Sequence, residues 1–168
     1  LEYSSYLAAS LCYLLLKQKD SVGLVVFDSK IRRYVPPRSS KAHLHVLLTE
    51  LDRLKPGGET SLSATFHELA ERIKRRGLII VMSDLFDEPE GVLLGLKHFR
   101  HSKHEVICFQ VTDEWEVSFP FRRAFTFKDM ETGEELPVDP SVVGEEYRSK
   151  MEKFMGDYKR RLRENLID

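Results

Sequence analysis

Leu78-Ile79-Ile80-Val81-Met82 runs without a polar break into Ser83-Asp84-Leu85-Phe86-Asp87. An apolar run of this length with no alternation predicts a strand buried on both faces, and such strands belong to parallel sheets covered by helices. Open α/β sheets bind ligands at the carboxyl ends of their strands, so Asp84 stands where chemistry is expected. Two readings of Asp84 stay open. It caps the turn or helix that follows, or it meets a hard cation, because a bare carboxylate in such a place needs a partner.

The elements on either side fit that frame. Residues 3–19 predict a helix with a stripe of Leu7, Leu11, Leu14 and Leu15, broken by Asp20-Ser21. Val22 to Phe27 predicts a buried strand. A tight turn at Asp28-Ser29-Lys30 leads into Ile31 to Val35, which alternates, pairs antiparallel with it and ends at Pro36-Pro37. A second helix carries Leu44, Leu47, Leu48, Leu51 and Leu54 on one face and stops at Pro56-Gly57-Gly58. A third follows Glu59-Thr60-Ser61 and turns Leu62, Phe66, Leu69 and Ile73 inward. Pro89 opens a fourth, with Leu93, Leu96 and Phe99 inward, and Val106 to Val111 is the next strand. Beyond Glu116 a hairpin turns at Glu131-Thr132-Gly133-Glu134, and Asp139-Pro140 starts a last helix that buries Val143, Tyr147, Met151, Phe154, Tyr158 and Leu162. Strands alternating with helices predict an α/β fold, a doubly wound, mostly parallel sheet. The whole of 1–168 reads as one domain, with residues 1–116 as the α/β core and 117–168 as hairpin plus C-terminal helix.

Composition narrows the functions. A formal net charge of -1 gives no general attraction to nucleic acid or anionic membrane. Cys12 and Cys108 lie far apart in apolar segments, as core residues of a reducing compartment do, so a cytoplasmic location is expected. The longest apolar region, around Leu7 to Leu16, is too short to span a bilayer. No Walker A lysine loop or Gly-x-Ser-x-Gly elbow occurs. Thr60 follows a Gly-Gly loop at a helix start, where it is either an N-cap or a hydroxyl ligand.

Taken in order, Asp20-Ser21-Val22-Gly23-Leu24, Pro36-Pro37-Arg38, Pro56-Gly57-Gly58-Glu59-Thr60-Ser61 and Ser83-Asp84-Leu85-Phe86-Asp87, with the later Asp129-Met130-Glu131-Thr132-Gly133-Glu134, resemble the von Willebrand factor A-like domain of the bacterial domain of unknown function 58 family. The resemblance covers almost the whole chain. It implies a metal-ion-dependent adhesion site built from Asp-x-Ser-x-Ser, then a Thr, then an Asp. Thr60 matches the second element and Asp84 the third. No Asp-x-Ser-x-Ser occurs in these 168 residues, so the chain is expected to be a fragment lacking the first strand. Mg²⁺ is then expected in the intact protein and not tightly in this piece. Two apolar strand edges would be left without their shared neighbour, so Val22–Phe27 and Leu78–Met82 are expected to pair directly, or two chains to exchange elements or form a homodimer.

The expected function is that of a non-enzymatic protein-interaction domain, and the resemblance implies a MoxR-type AAA+ ATPase as partner in the assembly or maturation of other proteins. Thr60 and Asp84 are the expected metal ligands. Glu59, Ser61, Ser83 and Asp87 are expected to shape the loops or form an outer shell, and Asp113 to help form the rim. The rival readings are a metal-dependent hydrolase using the strand-end acids, and a structural domain without metal in which Thr60 and Asp84 are only caps. Among the histidines, His98 and His101 could share a helix face for a metal, His43 and His45 are expected to be solvated, and His67 to form a surface pair with Glu68. Trp115 and Phe119-Pro120-Phe121 are either a contact loop or a cover for the sheet edge.

Overall fold

The computed structural model describes residues 1–55, 62–128 and 133–168. They divide into two compact units, Leu1–Ser61 and Leu62–Asp168.

In the first unit, helix α1 (Glu2–Lys17) precedes strands β1 (Val22–Phe27) and β2 (Ile31–Arg38) and helix α2 (Lys41–Asp52). α1 buries Cys12 and Leu16, whereas Leu14 of the expected stripe is exposed. Cys12, Leu16, Val22, Val35 and Leu47 form the core, with Leu15, Leu24 and Leu44 packed against them. β1 and β2 pair antiparallel, as the short turn predicts. β2 continues through Pro36-Pro37 to Arg38, past the expected stop. The register explains how. Val22 faces Arg38 while Leu24 faces Val35, so the extra residue bulges out at the prolines, which lack the N–H that a regular ladder requires. Gly23 makes this possible. A Cβ there would lie 2.9 Å from the Val35 carbonyl oxygen and 3.1 Å from the Pro37 ring. His43, expected in solvent, is buried, and its Nε2 lies 2.9 Å from the Val22 carbonyl oxygen.

The second unit comprises α3 (Leu62–Arg72), β3 (Leu78–Ser83), α4 (Pro89–His101), β4 (Glu105–Gln110), α5 (Glu114–Ser118), β5 (Phe125–Lys128), β6 (Glu135–Val138) and α6 (Pro140–Glu164). β3 and β4 pair parallel and in register from Leu78–Glu105 to Ser83–Gln110, with α4 as the crossover. Leu62, Phe66 and Leu69 of α3 and Leu93, Leu96 and Phe99 of α4 are buried, as their spacing predicts. Gly95 lets α3 and α4 approach closely, since a Cβ there would stand 2.7 Å from that of Phe66. Residues 166–168 run along β4. The Asp168 N–H donates to the Val106 carbonyl (3.2 Å), the Cys108 N–H donates to the Asp168 carbonyl (2.6 Å), and Ile167 is buried. Asp139 accepts from the Ser141 N–H at the start of α6, ahead of Pro140, as the sequence indicates.

The doubly wound, mostly parallel sheet is overturned. The described strands make three two-stranded sheets, β1–β2, β3–β4 and β5–β6, and only β3–β4 is parallel. The direct pairing expected for Val22–Phe27 and Leu78–Met82 is replaced by ladders inside each unit, β1 with β2 and β3 with β4. Continuous apolar character here does not bring double-sided burial. Within β3 only Val81 is fully buried, and Leu78 is 46% exposed. A two-stranded sheet has no interior strand, so an apolar run within it is not covered by strands on both sides. Val143 of α6, expected inside, is also exposed.

Candidate functional site

The corner after β3 is built by side chains that bond to their own backbone. Ser83 Oγ accepts from the Leu85 N–H (3.1 Å), and Asp84 Oδ1 accepts from the Phe86 N–H (3.1 Å). Both are the short-range turns that Ser and Asp favour. They hold Leu85 at φ 62°, a left-handed conformation for a bulky residue, with its side chain completely buried. The ladder extends into the corner, since the Val111 N–H donates to the Ser83 carbonyl (2.9 Å) and Gln110 Nε2 donates to the Asp84 carbonyl (3.3 Å). Asp84 is thus exposed on a fixed backbone, and its Oδ2 has no hydrogen-bond partner among the described residues.

Both oxygens of Asp87 accept backbone N–H groups. Its Oδ2 accepts from the Leu62 N–H at 2.7 Å and its Oδ1 from the Glu88 N–H at 2.6 Å. Leu62 is the first residue of α3, where backbone N–H groups lack helical partners and the dipole favours an anion. Asp87 therefore ties the corner to the start of α3. Glu88 in turn caps α4, accepting from the Glu90 and Gly91 N–H groups. Phe86 is 45% exposed and stacks on Phe154 of α6, ring centres 5.3 Å apart.

Of the other candidates, Asp113 caps the short helix α5. Its Oδ1 accepts from the Trp115 N–H (2.8 Å), and its own N–H donates to Glu116 Oε2 (3.0 Å). α5 was not foreseen, although the Asp-x-x-Glu spacing of a capping box was visible in Asp113-Glu114-Trp115-Glu116. Thr60, Glu59 and Ser61 lie outside the described residues. Trp115 joins a run of edge-on and tilted aromatic contacts through Phe121, Phe125, Phe127, Phe119 and Tyr147, a cluster in which Phe119 is buried while Trp115 stays 61% exposed.

Three further histidines are held by specific contacts. His104 is buried, with Nδ1 accepting from the Gly77 N–H and Nε2 3.2 Å from the Ile73 carbonyl oxygen. His98 does not pair with His101. It meets His67 of α3, Nδ1 to Nδ1 at 3.1 Å, and His67 is therefore not simply a surface partner of Glu68. The two stand 31 positions apart in the chain, a separation that helical spacing rules cannot bridge.

Burial pushes the Cys108 thiol up to about 11 and raises that of Cys12 as well, so both stay protonated at neutral pH and lack the character of nucleophiles. Burial, followed by the nearby Asp87 and Glu88 charges, also raises the Tyr158 hydroxyl, which has no hydrogen-bond partner among the described residues. A cavity of about 110 Å³ between α4 and α6, lined by Pro89, Leu93, Phe154 and Tyr158, is smaller than the several hundred Å³ of typical small-molecule sites.

The site is that of a small α/β protein with an acidic turn at the carboxyl end of a parallel strand pair. Over residues 2–159 the chain matches the family described as Protein of unknown function DUF58, and it belongs to that family. Neither the curated proteins nor the solved structures gave a match.

The family resemblance implies Mg²⁺, and the described residues fit it in part. Among the described residues one Asp84 oxygen has no hydrogen-bond partner, each Asp87 oxygen already accepts a backbone N–H, and no group of three His, Cys, Asp or Glu converges on one point. No helix among the described residues is long and apolar enough to cross a membrane.

Proposed function

We propose that the chain is a non-enzymatic protein-interaction domain, working in the cytoplasm beside a MoxR-type AAA+ ATPase in the assembly or maturation of other proteins. The observation that supports this reading is the Asp84 carboxylate, exposed at the end of β3, one oxygen closing a local turn and the other open. Mg²⁺ accepts one or two carboxylates and keeps several waters. Asp84 would be one ligand and Thr60 a second, with the remainder from a strand carrying Asp-x-Ser-x-Ser. Bound there, the ion would supply a coordination position for an acidic side chain of the partner. Asp87 serves by fixing the corner and takes no part in coordination.

The test has two arms. Mg²⁺ and Mn²⁺ are titrated by calorimetry into a chain that carries an Asp-x-Ser-x-Ser strand ahead of Leu1, and into its Asp84→Ala variant. Binding of that chain to a MoxR-type ATPase is then measured with the metal and with a chelator. The reading expects metal binding lost in the variant and ATPase binding lost with chelator. Metal binding that survives Asp84→Ala, or ATPase binding indifferent to metal, would overturn it.

A further inference from the structure

We infer that His67 of α3 and His98 of α4 form a two-imidazole site for a borderline divalent cation such as Zn²⁺ or Ni²⁺. The two Nδ1 atoms are 3.1 Å apart, and the rings are tilted by 49° with centroids 5.3 Å apart. Imidazole ligands at about 2.0–2.1 Å from a tetrahedral Zn²⁺ place their nitrogens roughly 3.3–3.4 Å from one another. A shift of a few tenths of an ångström would therefore seat a cation against both. Both rings are half-buried, and each is carried on a helix whose neighbour is fixed by the Phe66–Gly95 contact. The two rings already meet through their own contact.

The chemistry favours this class of ion. Two neutral imidazoles at this distance share one hydrogen bond, with one Nδ1–H donating to the other bare Nδ1. Moving that proton to Nε2 would free both Nδ1 lone pairs, which a small rotation of each ring would turn onto one ion, with no net loss of protons from the pair. Imidazole suits Zn²⁺, Ni²⁺ and Cu²⁺, whereas Mg²⁺ prefers oxygen. Among the described residues no third His, Cys, Asp or Glu converges there, and the remaining positions of the ion would be open to water. Glu71 and His101 stand one turn along α3 and α4, at exposed positions. The site is separate from the Asp84 corner and does not depend on its function.

The experiment titrates Zn²⁺ by calorimetry into the 168-residue chain, into His67→Gln and His98→Gln, and into His45→Gln as a control at an exposed position of α2. One ion per chain is expected in the parent and the control, with affinity lowered about tenfold or more in each pair variant. No saturable binding in the parent, or binding unchanged in both pair variants, would overturn the inference. Imidazole NMR of the unmutated chain gives an answer that does not depend on the variants folding. Zn²⁺ should move the Nδ1 resonances of His67 and His98, and a response confined to the other four histidines would refute the site.

Discussion

Replacing Asp87 tests how the acidic corner is held. The side chain accepts two backbone N–H bonds, from Leu62 at 2.7 Å and Glu88 at 2.6 Å, and it is half-buried. Hydrogen bonds to a charged acceptor contribute about 1.5–3 kcal/mol each net of exchange with water, less where water regains the group, and loss of a capping acid costs about 0.5–2 kcal/mol. Glu88 lies near solvent and regains a water, whereas the Leu62 N–H belongs to the start of a helix whose first side chain is buried. Asp87→Ala is therefore expected to destabilise the unit Leu62–Asp168 by about 2–3 kcal/mol. At roughly 4 °C per kcal/mol for a unit of this size, the melting point falls by about 8–12 °C. Asp87→Asn keeps an acceptor and should lose about 1 kcal/mol. Thermal unfolding followed by circular dichroism, run in Mg²⁺ and again in chelator, measures both. An Ala variant within about 0.5 kcal/mol of the parent would refute the structural role. A loss seen only in Mg²⁺ would show that Asp87 acts through a metal instead.

Two glycines in helices should respond with opposite signs. Gly95→Ala forces a Cβ to 2.7 Å from Phe66, and the overpacking outweighs the gain in helix propensity, for a net loss of about 1–2 kcal/mol in chemical denaturation. Gly156→Ala in α6 meets nothing within 4 Å and should stabilise by about 0.5–1 kcal/mol. Tyr158→Phe removes a buried hydroxyl with no partner among the described residues, so unfolding is expected to show a gain of about 1 kcal/mol, and a loss of that size would mean an unseen partner. Glu90 is held below the usual carboxylate range by the hydrogen bond from Arg161 (2.7 Å), then by the charge of that guanidinium. A depressed folded-state pKa contributes stability above the unfolded value and loses it as pH falls through the folded one. The melting-point difference between the parent and Arg161→Ala should therefore be present at pH 6, shrink once pH drops into the ordinary carboxylate range, and vanish only below the depressed folded value.

Local signals carried most of the elements. Strand β1 has the bounds read from Val22 to Phe27, and the inward faces of α3 and α4 follow from the i, i+3, i+4 spacing of Phe66, Leu69, Leu93 and Leu96. What local signals could not carry was neighbourhood. Hydropathy marks Leu78 to Met82 as apolar but does not say whether a strand or a helix covers each side chain, and the sheet was overextended for that reason. The same blindness hid His67 opposite His98, and His43 and His104 in the core, because a buried histidine is recognised by the distant carbonyl or amide it meets. In the candidate site, Asp84 and Asp87 were picked out as acids at a strand end. Their division of labour depends on the Leu62 amide, 25 positions away, which no spacing rule connects to Asp87.

Leu85 sets two demands against each other. Its backbone, at φ 62°, suits glycine or asparagine, while its fully enclosed side chain suits a large aliphatic. Substitution libraries at this position should therefore return few survivors. Gly relaxes the chain but empties the core, Val and Ile fill part of the space but resist the twist, and Leu or Met alone satisfy enough of both. A profile that scores hydrophobicity takes this residue for one more step of the strand, when it is the pivot on which the chain changes direction.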